Sequence, residues 1–448
     1  MKLFNDLEMD VRANTGNTKA LLKSLKNIGK MDNQTAIDYS IFVELLAHKI
    51  AEVRLEAVKN LGKIRSLEVQ DILLKHYAKE GDSLVRRECI SSIGRQRNPD
   101  RIPFFVSELN DKDPKVVLQA IRSLLVFKED KEVKKALKKI ADHPNEMIKD
   151  VLEIELSPRL KRSKVKHTEV NSKLENTVVN GDVIEVLSHI EEESFHLTFT
   201  SPPYYNARDY SFYASYQEYL DFLRKVFLET HRLTKNGRFL IVNTSPIIIP
   251  RVSRKHASKR YPIPFDIHHF LVQDGWEFMD DIIWQKPEYS VKNRVGGFMQ
   301  HRKPLGYKPN CTTEYLMVYR KKSKDLIDWN MKQYDPEVVD ESKVTEEFDT
   351  TNVWNINPAF DKTHSAVFPK ALCERVIKYY SFKNDLVFDA FAGSGTFGAV
   401  AKALGRRFFL TELDPTYFDR IQEKIGSDGG SYMSLKEFET WMQPERKS

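Results

Sequence analysis

Cysteine is scarce in this chain: three among 448 residues, Cys89, Cys311 and Cys373, far apart and without C-x-x-C spacing. That excludes a disulfide framework and a structural zinc site, and it fits a reducing compartment. Long apolar runs are missing too. No stretch approaches the roughly 20 apolar residues that a membrane span needs. The opening residues, MKLFNDLEMDVRANTG, lack the apolar centre of a secretory leader. A cytoplasmic setting without membrane or metal is expected. Nor is the charge extreme: a formal +6 permits a polyanionic partner without requiring one.

What is present begins with repetition. AEVRLEAVKNLGKI (51–64), SLVRRECISSIGRQ (83–96) and PKVVLQAIRSLLVF (114–127) share one pattern. Val53, Ala57, Leu61 and Gly62 recur 32 residues later as Val85, Cys89, Ile93 and Gly94, and Val116, Ala120 and Leu124 follow after 31 more. A fainter copy, LKSLKNIGK, places Gly29 33 residues before Gly62. Apolar residues four apart share one helix face, and a period in the low thirties signals stacked helix pairs. The copies resemble HEAT-like repeats over about residues 15–157, which predicts an all-α repeat domain over 1–157. Cys89 stands where Ala57 and Ala120 stand, so it reads as core.

SPRLKRSKVKH (157–167) then gathers Arg159, Lys161, Arg162, Lys164 and Lys166 with no acid among them. This reads as a basic interdomain linker over 158–174, with Lys161 and Arg162 as candidate phosphate contacts. From about residue 175 short β-rich runs alternate with helical ones. Strands are predicted at 176–182, 195–201, 237–245, 277–286, 313–321, 385–391 and 406–413, and helical spacing at 213–234 and 368–381. Such alternation predicts an α/β, doubly wound and mostly parallel sheet with helices on both faces. Ligands of such sheets gather at the carboxyl ends of the strands.

Two stretches carry chemistry. In DLVFDAFAGSGTFGAVAKALGRRFFLTELD (385–414) a strand runs into Asp389, Phe391, Gly393, Gly395 and Thr396, then a helix, then a strand ending at Glu412 and Asp414. The glycines allow positive φ and close approach of backbone to a ligand. An acid about 20 residues on is placed to accept ribose hydroxyls. GSGTFG also matches the dinucleotide fingerprint G-x-G-x-x-G, so a nicotinamide or flavin dinucleotide competes as ligand. Only 36 residues follow Glu412, too few for the remaining strands of a dinucleotide fold. The preceding strands must complete the sheet, in circularly permuted order. Asp389 suits a cationic ligand better than a pyrophosphate. The second stretch is FHLTFTSPPYYN (195–206), an apolar run that stops at two prolines and an aromatic tip.

Together these residues resemble the S-adenosylmethionine-dependent amino-methyltransferases of DNA, in the permuted order that puts the catalytic motif before the cofactor motif. Thr200-Ser201-Pro202-Pro203-Tyr204 resembles the family's catalytic [D/N/S]-P-P-[Y/F/W], and Asp389 to Thr396 its F-x-G-x-G cofactor loop. Alanine at 390 replaces the proline common there. HSAVFPKALCERVIKYYS (364–381), with His364, Phe368 and Pro369, resembles the segment that closes over the methionine end. NGDVIEVLSHI (180–190) resembles the one that places Asp182 near the adenine. The resemblance implies a Rossmann-like methyltransferase domain over 175–426, with Thr200 and Glu412 beside the cofactor; the residues after it, 427–448, read as a Gly-rich hinge and one amphipathic helix.

It also implies a mechanism. The exocyclic amine of a base is a poor nucleophile because its lone pair is delocalised, and inside a duplex it is out of reach, so the base must flip out. Tyr204 would stack on the flipped ring, while the Ser201 hydroxyl and the Pro202 carbonyl accept the amine hydrogens. The prolines restrict φ and remove competing N–H donors. Methylation at cytosine C5 needs a cysteine nucleophile, and none follows a proline in the catalytic region. Serine before Pro-Pro usually accompanies N4-cytosine targets in the family and aspartate N6-adenine. The expected activity is N4-cytosine methylation of double-stranded DNA, with N6-adenine, RNA or protein amide, and an inactive repeat scaffold as alternatives. A separate restriction endonuclease is a candidate partner. DNA-recognition loops are expected at about 251–262 and 289–352. The first carries Arg251, Arg254 and Arg260; Arg294, Arg302 and Lys303 lie in the basic part of the second, whose remainder, 322–352, is acidic and less suited to phosphates.

Overall fold

The computed structural model describes residues 11, 17–30, 39–156, 165–205, 213–249, 251–253, 255–291, 304–305, 309–345, 349–359 and 367–443. The chain divides into two units, 1–160 and 161–448. Among the described residues no helix is long and apolar enough to cross a membrane.

The first unit is helical: α1 (Thr18–Ile28), α2 (Ser40–Leu45), α3 (Ala51–Leu61), α4 (Leu67–Tyr77), α5 (Ser83–Gly94), α6 (Ile102–Ser107), α7 (Pro114–Leu124), α8 (Lys131–Lys139) and α9 (Glu146–Leu156). The repeated positions form its core. Val53, Ala57, Leu61, Val85, Cys89, Ile93, Val116, Ala120 and Leu124 are all fully buried. A second periodic row explains the glycines. A Cβ on Gly62 would lie 2.3 Å from the Ser92 hydroxyl, and one on Gly94 2.2 Å from that of Ser123. Each helix end thus approaches a buried polar residue of the next repeat, and the Ser92 hydroxyl donates back to the Val58 carbonyl at 3.4 Å. Asp82 and Asp113 cap the N-termini of α5 and α7 with their side chains, supplying partners that the first turn lacks.

Among the described residues, the second unit is built on a nine-stranded sheet: β1 (Thr177–Asn180), β2 (Phe195–Thr200), β3 (Thr234–Thr244), β6 (Trp276–Gln285), β7 (Thr313–Lys321), β8 (Val353–Asn355), β9 (Leu386–Asp389), β10 (Arg407–Glu412) and β11 (Ser431–Ser434). A separate hairpin pairs β4 (Ile247–Ile249) with β5 (Lys259–Tyr261). The order across the sheet is β11-β1-β10-β9-β2-β3-β7-β6-β8. Among the described residues of this sheet, the β3–β7 and β7–β6 pairs are antiparallel and the others parallel. The expected mostly parallel α/β sheet is therefore present, and the seven predicted strands all lie in it. β2 is buried at every residue, as a central strand covered on both faces must be. Phe195 stacks on Phe388 of β9 with ring centres 4.6 Å apart, fixing the two strands that carry the two motifs.

The amino ends of the central strands are locked by a buried polar cluster. Arg238 of β3 donates to the His196 carbonyl of β2 at 3.1 Å and to the Asp385 carboxylate just before β9. The Tyr334 hydroxyl donates to the same carboxylate at 2.6 Å. Burial holds His196 down at about 4, so its ring is neutral. Tyr334 and Asn330, which donates to the Gly237 carbonyl at 3.2 Å, fasten part of the acidic segment after β7 to this end. That part of the expected 289–352 recognition region thus sits opposite the carboxyl ends of the strands.

Two boundaries differ from those expected. Residues 165–174, read as linker, are folded into the second unit, where His167 and Leu174 are buried and Lys235 donates to the Lys166 carbonyl at 2.9 Å. The tail read as hinge and helix supplies β11, a parallel edge strand on β1. It is followed by a helix, Leu435–Met442, with a Ser434–Glu437 capping box and a fully buried Phe438.

Candidate active site

β2 and β9 are neighbours, so the motifs that end them meet at the carboxyl edge of the sheet. The join is explicit: the Thr200 hydroxyl donates to Asp389 Oδ1 at 2.7 Å. Both residues are buried. Asp389 also accepts from the Phe391 amide at 3.1 Å. Burial pushes its carboxyl up to about 7, and the nearby Glu412 adds to the rise.

The turn after β9 is tight because Gly393 and Gly395 take φ of +52° and +71°, the left-handed region. At Gly395 a Cβ would also lie 2.9 Å from the Ile421 side chain. Glu412, at the end of β10, holds this loop from across the cleft. One carboxylate oxygen accepts from the Gly393 amide at 2.7 Å and the other from the Asp414 amide at 2.9 Å. Burial raises its pKa. Lys424 secures the far side, donating to the Ser394 and Thr396 hydroxyls at 3.0 Å each.

A cavity of about 450 Å³ opens between the two motifs. Ser201, Pro202, Pro203 and Tyr204 form one wall, Phe391, Gly393, Thr396 and Glu412 another, and Asp182 and Phe368 close it. Asp182 is also the N-cap of the helix Val183–Ser188, accepting from the Ile184 amide at 2.9 Å. Phe368 stacks on Phe199 of β2, ring centres 4.5 Å apart. Thr200, Asp389, Gly395 and Pro369 stand behind the wall rather than on it. Tyr213, Phe222 and Tyr417 line the cavity and were not expected from the sequence. In one dimension the first two read as ordinary helix-face aromatics, and nothing marks them as wall residues.

Of the expected DNA contacts, Arg251 and Arg260 are exposed. Arg260 lies on β5, opposite Ile248, and its neighbour Tyr261 packs on Tyr205, next to Tyr204, with ring centres 5.0 Å apart. His364, Arg254, Arg294, Arg302, Lys303, Lys161 and Arg162 lie outside the described residues. Cys373 is buried in its helix, Lys370–Tyr380, and burial drives its thiol pKa well up.

Residues 195–423 match the family model described as DNA methylase, the N6/N4 methyltransferases. The chain belongs to the N6/N4 DNA methylase family. Members take their methyl group from S-adenosyl-L-methionine, and the methylase cavity fits such a ligand. It offers apolar and aromatic walls, a carboxylate at Glu412, and behind them a desolvated acid that a cation would favour ionised. Residues 11–94 and 71–157 match HEAT repeats. Similar curated proteins include the type II beta methyltransferase M.BslI of Bacillus sp., 28% identical over 265 residues, covering 56% of this chain and 28% of that one. The type II methyltransferase M.Cfr9I of Citrobacter freundii is 29% identical over 276 residues, covering 54% of this chain and 85% of that one. Among solved structures, the PvuII DNA methyltransferase (cytosine-N4-specific) aligns with 62% of this methylase and 94% of itself, at 19% identity and a TM-score of 0.43.

Proposed function

We propose that this chain methylates the exocyclic N4 amine of cytosine in duplex DNA, as part of a restriction-modification or other DNA-marking system. The observation that carries this reading is the shared cavity: Ser201 to Tyr204 and the glycine loop face one space, and their strands are tied by the Thr200–Asp389 hydrogen bond. Serine at 201, where N6-adenine enzymes usually carry aspartate, favours cytosine.

When bound, S-adenosyl-L-methionine supplies an electrophilic methyl group on a positively charged sulfur. Glu412, Asp182, Phe391 and the glycine loop would hold it. The rest falls to the residues at the end of β2. Ser201 and the Pro202 carbonyl accept the amine hydrogens, which localises the nitrogen lone pair toward the incoming methyl. Once the nitrogen carried the methyl, its extra proton would leave through Ser201 and the Pro202 carbonyl toward water. Pro203 keeps the backbone from rearranging, and Tyr204 holds the flipped ring by stacking. Holding nucleophile and methyl in line supplies much of the rate enhancement, so the chemistry needs no covalent enzyme intermediate.

The β4–β5 hairpin suits the duplex. Arg251, Lys255, Lys259 and Arg260 are exposed on it, while Tyr261 anchors it beside the catalytic tip, so its cations would bracket the flipped base with phosphate contacts. Purified protein given methyl-labelled cofactor together with duplex DNA, RNA and protein tests the substrate class. Label in DNA alone is expected; label confined to RNA or protein contradicts the reading.

A further inference from the structure

The ring of Tyr204 is not held by packing alone. Its hydroxyl lies 3.4 Å from Glu314 Oε2 at the start of β7, with the Ser245 side chain, just past β3, beside it. The other carboxylate oxygen of Glu314 accepts from Lys286 at the end of β6. Lys286 in turn lies over the Trp284 ring, 4.4 Å from its centre, and the Trp284 indole donates to the Ile356 carbonyl at 2.8 Å. The pair is mostly shielded, with side-chain exposures of 17% for Lys286 and 15% for Glu314. β6 and β7 form the antiparallel hairpin whose connection contains the basic stretch around Arg294, Arg302 and Lys303.

We propose that Glu314, itself oriented by Lys286, is a positioning residue that fixes the Tyr204 ring by accepting a hydrogen bond from its hydroxyl, and so links the β6–β7 hairpin to the base-holding wall. Stacking requires one ring plane, and a tyrosine whose hydroxyl is tethered at the far end keeps that plane without contact from the substrate. The ion pair keeps the carboxylate from turning away to solvent. Glu314 is not among the residues that line the cavity, and it acts through Tyr204. This proposal rests on the base-stacking role given to Tyr204 above.

Steady-state kinetics with duplex DNA and calorimetry with S-adenosyl-L-methionine on four variants test it. Glu314→Ala is expected to lower kcat by roughly ten- to hundred-fold, the usual cost of a small misplacement, with cofactor affinity unchanged. Glu314→Gln, which keeps a polar partner for the hydroxyl but loses the ion pair with Lys286, recovers part of that loss. Tyr204→Phe removes the hydroxyl itself, so the double variant Tyr204→Phe/Glu314→Ala is expected to be no worse than Tyr204→Phe alone. Multiplying losses in the double variant, or unchanged kcat in Glu314→Ala, overturns the proposal. A crystal structure of Glu314→Ala separates this from the functional reading: the Tyr204 ring is expected to leave its position, and a ring that stays put refutes the proposal whatever the substrate. Wild-type protein that methylates no DNA would refute the functional reading instead.

Discussion

Asp389 sits one hydrogen bond behind the cavity, fully desolvated, with its carboxyl near pH 7 rather than in the ordinary range. The sign of its effect follows from where the proton sits. The folded protein holds that proton up to about pH 7 and the unfolded chain releases it near 4, so this group makes the ligand-free protein less stable as pH rises between those values. A cationic ligand in the cavity favours the ionised form. Calorimetry of S-adenosyl-L-methionine binding should therefore show affinity rising from about pH 6 to pH 8, and Asp389→Asn should flatten that rise. A flat wild-type profile would refute the linkage. Tyr204 makes a different demand, because the proposed function has its ring stack on the target base. Tyr204→Ala should cut methylation by roughly ten- to hundred-fold, the worth of one base stack, while leaving cofactor binding nearly intact. Equal loss of both in a folded variant would remove the stacking role.

At the scale of elements, the helical unit depends on its glycines. Gly62 faces Ser92 so closely that a Cβ would meet both its hydroxyl and its Cβ, at 2.3 and 2.5 Å. Gly62→Val should destabilise that unit by about 1–3 kcal/mol, the usual cost of overpacking. Scanning calorimetry of the whole chain checks this; an unshifted transition would mean that the repeats do not need the close approach. The elements also show what a sequence reveals. Strands buried on both faces, such as Phe195–Thr200 and Arg407–Glu412, announce themselves as apolar runs, and the repeat cores do so by period. Short edge strands do not. Ser431–Ser434 follows two glycines and is partly exposed, so its pairing with Thr177–Asn180 comes from the sheet and not from its own composition. The candidate site divides likewise. Its two motifs are contiguous strings and legible, whereas Tyr213, Phe222, Lys424 and the Glu314 tether to Tyr204 depend on the fold. Glu314 and Tyr204 are 110 residues apart in the chain.

For the molecule as a whole, the permuted order costs the site nothing. Thr200 and Asp389, 189 residues apart in the chain, share a hydrogen bond because their strands are neighbours in the sheet. The Ser201–Tyr204 wall and the glycine loop are thus one structural unit, and the tail completes the far edge of the same sheet. What such a unit does is set by the amine it grips, and Ser201 is the residue on which the account commits itself. The most direct test is to express the chain in a host that lacks DNA methylation, digest the DNA to nucleosides and identify the modified base by mass spectrometry. N4-methylcytosine is expected; N6-methyladenine, or unmodified DNA in cells that make the folded protein, would contradict the proposed activity.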